Sequence, residues 1–205
     1  MNTLCRDRGI YHISDEAYEY FVYGDQRHFS AASLPGSEGH TISLFSLSKA
    51  YGMAGWRSGY MVFPTELSIA IKKIQDTNLI CPPIVSQWAA VAALRVGSDW
   101  CSRQISGFGA MRDLVLSELS KLGQKCVVPR PDGAFYVLAK LETDKSDMEL
   151  VEQLIREYGV AAMPGRTFGV TDHCALRIAY GSLDRGTVAE GVGRLVRGLD
   201  KLLAK

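Results

Sequence analysis

The stretch Ser46-Leu47-Ser48-Lys49-Ala50-Tyr51-Gly52-Met53-Ala54-Gly55-Trp56-Arg57-Ser58-Gly59 decides how the rest of the chain is read. It follows a β-type run and sets a lysine and an arginine eight positions apart among small residues and glycines. Flexible backbone, two cations and two hydroxyls suit the gripping of a phosphate and the presentation of an amine. A lysine held in an enclosed site can lose basicity and become nucleophilic toward carbonyls; the alternative is a solvated surface lysine, which describes most lysines. Arg57 can hold a phosphate through two parallel hydrogen bonds, or it can be structural, its stem covering Trp56. Other phosphate signatures fail, since no Gly-x-x-x-x-Gly-Lys-Ser/Thr occurs. Gly107-Phe108-Gly109 and Gly191-Val192-Gly193 lack the third glycine of a dinucleotide fingerprint and lie on helical patterns.

Working outward, residues 9–15 read as a short buried strand closing on Asp15, and Thr41–Ser46 as a second strand. Between them residues 23–40 are irregular, broken by Gly24, Pro35, Gly36 and Gly39. Residues 59–63 form a third strand that Pro64 stops. Apolar spacing predicts helices over 65–78, with Thr65 as N-cap, and over 84–95. One long helix is expected over about 98–122, opened by Ser98-Asp99 and stopped by Gly123. Strands 125–128 and 134–141 then flank the turn at 129–133, helix 149–158 ends at Gly159, and strands 160–163 and 175–180 precede a closing helix over 183–203. The expected fold class is α/β in two parts. Residues 1–100 carry a mainly parallel sheet, residues 101–205 form a small α+β unit, and the long helix joins them. Three strands are too few to bury both faces of a parallel sheet, so the first part reads as incomplete.

Asp15 closes one strand and Lys49 follows the end of another. Ligands of open α/β sheets gather at the carboxyl ends of the strands, so both can serve one rim; the alternative for Asp15 is a helix cap. In Cys174-Ala175-Leu176-Arg177-Ile178-Ala179-Tyr180, strand alternation puts Ala175, Arg177 and Ala179 on one face. The alanines leave room for a bidentate carboxylate on Arg177, unless the arginine simply reaches solvent from an edge.

Composition narrows the classes. With 22% charged residues and a net charge of +1, no strong field points to nucleic acid or a membrane surface. No apolar run reaches the roughly eighteen residues of a membrane span, and the N-terminus lacks a secretory pattern. Five scattered cysteines without a Cys-x-x-Cys pair, and four histidines without ligand spacing, argue against a disulfide framework and a metal site. The expected location is cytoplasmic.

Four motifs in order, Ser14-Asp15-Glu16-x-Tyr18, Ser46-x-Ser48-Lys49 with Gly55-Trp56-Arg57-x-Gly59-Tyr60, Pro131-x-Gly133-Ala134-Phe135-Tyr136 and Leu176-Arg177-Ile178-Ala179-Tyr180, resemble the class I/II aminotransferases, fold-type I enzymes that use pyridoxal phosphate. The similarity runs over nearly the whole chain and is strongest to the aspartate aminotransferase-like branch. It implies the C-terminal part of the large α/β/α domain plus the small α+β domain. It implies that Lys49 is the Schiff-base lysine and proton shuttle, that Asp15 pairs with the pyridinium nitrogen, and that Tyr18 pairs with the ring's phenolic oxygen. Such a carboxylate keeps the ring nitrogen protonated and strengthens the cofactor as an electron sink. Ser46 and Arg57 would bind the cofactor phosphate, with Ser48 as a further contact, and Arg177 would clamp the substrate α-carboxylate. The implied reaction moves an amino group from an amino acid to a 2-oxo acid, in a homodimer. Family members carry a substantial further half upstream of the Asp-x-x-Tyr motif, so the expectation is weak or no activity for this chain alone. Two other readings stand beside it: a non-catalytic or split-gene fragment that needs another chain, and another pyridoxal phosphate reaction such as decarboxylation or β-elimination.

Overall fold

The computed structural model describes residues 1–181 and 184–204. The chain divides into two compact units, Met1–Ser106 and Gly107–Lys205.

The first unit opens with a short helix, α1 (Asn2–Asp7), which no apolar pattern announced. A polar side chain ties it down. Buried Asn2 donates from Nδ2 to Thr41 Oγ1 at 2.8 Å, and its Oδ1 lies 3.0 Å from His40 Nε2. Strands β1 (His12–Asp15), β2 (Thr41–Ser46) and β3 (Gly59–Val62) form a sheet in the order β1-β2-β3. β1 runs parallel to β2, and β3 runs antiparallel to it. Gly59 is required at the start of β3, because a Cβ there would lie 2.6 Å from the Phe45 carbonyl oxygen. The expected helix over 65–78 begins as a 3-10 turn over Thr65–Leu67, so Thr65 sits inside a turn whose N-cap is Pro64, and α2 proper is Ser68–Asn78. α3 (Ile84–Val96) and α4 (Ser98–Ile105) follow. α2 buries no residue, and α3 buries only Ser86.

The long helix expected over 98–122 is two helices, α4 and α5 (Phe108–Ser120). The break has a local cause. Ser106 Oγ donates to the Arg103 carbonyl at 2.9 Å, which competes with the helical ladder, and Gly107 adds the weakest helix former after proline. Ser98 and Asp99 lie within the first turn of α4 and make no side-chain cap; Gly97, at φ +84°, is the N-cap.

The second unit packs α5, α6 (Asp147–Tyr158) and α7 (Arg185–Leu202) with an antiparallel sheet of β4 (Cys126–Val127), β5 (Tyr136–Leu141), β7 (Cys174–Ala179) and β6 (Met163–Pro164), in that spatial order. The core joins Val137, Ala139 and Leu141 of β5 to Leu176 and Ile178 of β7, and to Leu119, Leu150, Leu154, Leu195 and Leu199 of the helices. Ser146 caps α6 by accepting from the Glu149 N–H, and Gly159 ends it in the left-handed region. Asp184 caps α7. The expected start of that helix at Leu183 lies outside the described residues. Among the described residues, no helix is long and apolar enough to cross a membrane, and all five cysteines are free thiols.

Candidate active site

Strand direction alone gathers six of the seven expected site residues. Because β1 and β2 are parallel, Asp15 at the end of β1 and Ser46 at the end of β2 lie at the same edge of the sheet. Ser46 pairs with Gly59, so β3 starts at that edge too, directly after Arg57. Tyr18 lies on the turn following Asp15, and Ser48 and Lys49 on the turn following β2. Arg177 lies on β7 of the second unit.

The lysine turn is rigid beneath and open above. Leu47, Ala50, Tyr51 and Met53 are buried, while Lys49, Gly52 and Ala54 through Arg57 are exposed. Backbone hydrogen bonds from Met53 N–H to the Leu47 carbonyl (3.2 Å) and from Gly52 N–H to the Lys49 carbonyl (3.1 Å) close it. Tyr51 stacks on Trp100 with ring centroids 6.1 Å apart and meets Tyr20 edge-on, which fixes the turn from below. Burial pushes the Tyr51 phenol far above its usual range, so it stays neutral.

Two cations stand above this base. Arg57 adopts φ +51°, a left-handed conformation uncommon for a side-chain-bearing residue, and its Nη1 donates to the Ala54 carbonyl at 2.8 Å. Among the described residues neither Lys49 nor Arg57 forms an ion pair. Ser46 Oγ accepts from the Ser48 N–H at 3.2 Å. Asp15 is exposed, and its Oδ1 accepts from the Ala17 N–H at 3.2 Å in a turn rather than at a helix start. Tyr18 meets Phe21 edge-on at 6.0 Å between centroids. One rim therefore offers an amine, a guanidinium, two hydroxyls, a phenol and a carboxylate.

Behind the rim lies a residue whose role the sequence did not reveal. Glu16 is 3% exposed, with Oε2 at 2.8 Å from His28 Nε2 and Oε1 accepting from Ser30 Oγ at 2.8 Å. On the second unit, Arg177 lies over two rings, 4.3 Å from the Phe168 centroid and 5.1 Å from that of Tyr136. Its Nε is buried without a hydrogen-bond acceptor among the described residues. The space expected beside Ala175 is filled, since Ala175 is buried against Gly165, while Ala179 is exposed. Pro164-Gly165-x-x-Phe168-Gly169 is a turn pattern that could have drawn attention to Phe168.

An α/β unit followed in the same chain by an α+β unit fits the fold of the fold-type I aminotransferases. The chain belongs to the class I and II aminotransferase family, whose model matches residues 1–195. It is 36% identical over 204 residues to an aromatic aminotransferase of Arabidopsis thaliana, covering 98% of this chain and 50% of that protein. It is 35% identical to a probable aspartate/prephenate aminotransferase of Aquifex aeolicus, covering 97% and 51%. Among solved structures it resembles an α-aminoadipate aminotransferase of Thermus thermophilus complexed with N-(5'-phosphopyridoxyl)-L-leucine, at a TM-score of 0.89 and 27% identity, covering 98% and 53%. The chain spans about half the length of the curated relatives it matches.

The donor set fits a pyridoxal phosphate. Ser46, Ser48 and Arg57 could meet its anion, Lys49 offers an exposed amine, and Asp15 offers an exposed carboxylate that accepts one backbone hydrogen bond.

Proposed function

We propose that this chain carries the lysine-bearing part of a pyridoxal phosphate-dependent transaminase site, acting on an amino acid and a 2-oxo acid. The observation that carries the proposal is the shared edge of β1, β2 and β3, which Asp15 closes and Lys49 and Arg57 flank in sequence, with neither cation in an ion pair among the described residues. Bound cofactor supplies an aldehyde and an electron-withdrawing ring. Lys49 Nζ would hold that aldehyde and would move the proton at the substrate Cα. Asp15 would keep a proton on the ring nitrogen, and Tyr18 would donate to the ring's phenolic oxygen. Ser46, Ser48 and Arg57 would hold the phosphate, and Arg177 would bind the substrate α-carboxylate. The family resemblance implies a homodimer as the working form. Alone, this chain is expected to turn over weakly or not at all, because Lys49 and Arg57 are exposed to water, which screens their charges.

Pyridoxal phosphate added to the purified chain is expected to produce a visible absorbance band that Lys49→Ala abolishes. A missing band, or one that survives Lys49→Ala, overturns the cofactor site. Amino acids should then bleach the band, and the series should include aspartate and aromatic amino acids, which the relatives' names carry. A band that no amino acid bleaches overturns transamination while leaving the cofactor site in place. Another pyridoxal phosphate reaction would release carbon dioxide or a β-substituent and is read from those products.

A further inference from the structure

The guanidinium of Arg177 is held by a device that sequence motifs do not describe. Arg177 pairs with Leu138 of β5 and Met163 of β6, and Tyr136 lies two residues before Leu138, on the same face of the sheet. Phe168 reaches the guanidinium from the 3-10 turn Gly165–Phe168 that follows β6. That turn is fastened at three points. Gly165 packs against β7 so closely that a Cβ would lie 2.7 Å from Ala175 Cβ. Gly169, at φ +84°, turns the chain back and donates from N–H to the Arg166 carbonyl at 3.1 Å. Asp147, 2% exposed at the first turn of α6, accepts from the Arg166 N–H at 2.8 Å through Oδ2 and from Arg166 Nε through Oδ1.

An aromatic ring over a guanidinium attracts the cation and excludes water from its face, yet satisfies none of its in-plane N–H groups. Those donors then need an acceptor lying in the guanidinium plane, and a carboxylate provides two oxygens there. Nε is buried and has no acceptor among the described residues, so an incoming carboxylate would meet the outer N–H groups of the guanidinium.

We propose that Phe168 is a positioning residue, set in place by the Asp147–Arg166 fastening, that with Tyr136 orients and partly desolvates Arg177 for an incoming α-carboxylate. The proposal rests on the carboxylate role of Arg177 given above. It makes Phe168 a determinant of affinity for any 2-oxo or amino acid, whatever its side chain, without touching the reacting atoms.

The test uses the full chain labelled with nitrogen-15, and pyruvate as the probe. The Arg177 Nε–H signal is assigned by its loss in Arg177→Lys. In the wild type, pyruvate should shift this signal saturably. In Phe168→Ala the signal should broaden, and pyruvate should bind about five- to tenfold more weakly, the scale of a partly desolvated cation–π contact. Phe168→Tyr should retain wild-type binding, and Asp147→Asn should weaken it by loosening the turn that holds the unaltered Phe168 ring. Phe168 is 44% exposed, so its truncation opens no closed cavity; unchanged β5 and β7 amide signals verify the fold, and Phe168→Leu serves if they move. Pyruvate binding to Phe168→Ala within twofold of wild type overturns the positioning role alone. An Arg177 signal that pyruvate leaves unmoved in the wild type overturns the carboxylate role, and the positioning role with it.

Discussion

A carboxylate as buried as Glu16 survives only if its hydrogen bonds exceed the cost of removing it from water. Burial by itself would raise its carboxyl, but the bonds from His28 and Ser30 outweigh burial and hold it below the ordinary value of 4.5. A carboxyl depressed in the folded state stabilises above its unfolded value, and that stability is lost as pH falls through the folded value. Glu16 therefore contributes fully above about pH 4.5 and progressively less below it. Glu16→Gln is expected to cost about 1–2 kcal/mol at pH 7 and to flatten the acid-side loss. Trp56, Trp88 and Trp100 all belong to the first unit, so urea melts followed by tryptophan fluorescence at pH 7 and pH 4 read this directly. Equal acid-side losses in Glu16→Gln and wild type would exclude the linkage. The same residue marks a limit of sequence reading. Lys49, Asp15 and Arg177 stand out in the sequence as candidates because each sits in a short motif on or beside a strand. Glu16 acts through His28 and Ser30, 12 and 14 positions away, and Phe168 reaches Arg177 across a strand pairing. The turn pattern around Phe168 is visible in the sequence, but neither residue's partner can be read from its neighbours.

At the scale of elements, the sequence was most informative where backbone punctuation is strong. Thr41–Ser46 is found with the expected bounds, and Gly159 ends α6 as expected. It failed where one polar contact outweighs periodicity, as at Asn2 for α1 and at Ser106 between α4 and α5. α7 shows how packing can reverse propensity within a single helix. A Cβ at Gly198 would lie 2.7 Å from Leu154 Cδ2 and 2.9 Å from Tyr158 Cγ, so α6 and α7 approach each other through that glycine. At Gly191 a Cβ meets nothing within 4 Å. Alanine gains about 1 kcal/mol of helix propensity at either position. At Gly198 the forced separation costs about 1–3 kcal/mol and exceeds the gain. Gly191→Ala is expected to stabilise the second unit by about 0.5–1 kcal/mol, and Gly198→Ala to destabilise it. Denaturant melts followed by far-ultraviolet circular dichroism give both signs, and equal effects of the two substitutions would refute the close crossing.

Across the whole molecule, apolar surface is distributed unevenly between the units. The second unit surrounds its sheet and helices with the leucine-rich core described above. In the first, Ile13, Met61 and Val62 of the sheet and Ile69, Ile74, Ile84 and Trp88 of the helices are all exposed. A short three-stranded sheet, together with α2 and α3, which bury almost nothing, leaves exposed apolar area of the kind that drives association. A net charge of +1 supplies little repulsion to oppose it. The local stabilities should differ accordingly, since amides are protected where buried apolar contacts are dense. Amides of β5, β7 and α7 are expected to exchange with deuterium far more slowly than those of α2 and α3. A dye that fluoresces on apolar surfaces should bind the native chain, and the double substitution Ile84→Glu with Trp88→Glu should reduce that fluorescence and raise the concentration at which the chain stays monodisperse. Both side chains are more than three-fifths exposed, at 74% and 65%, so the substitution removes no core contact and should leave the exchange rates of β5 and β7 unchanged. Dye binding that the double variant does not lower would place the apolar surface elsewhere than on α3.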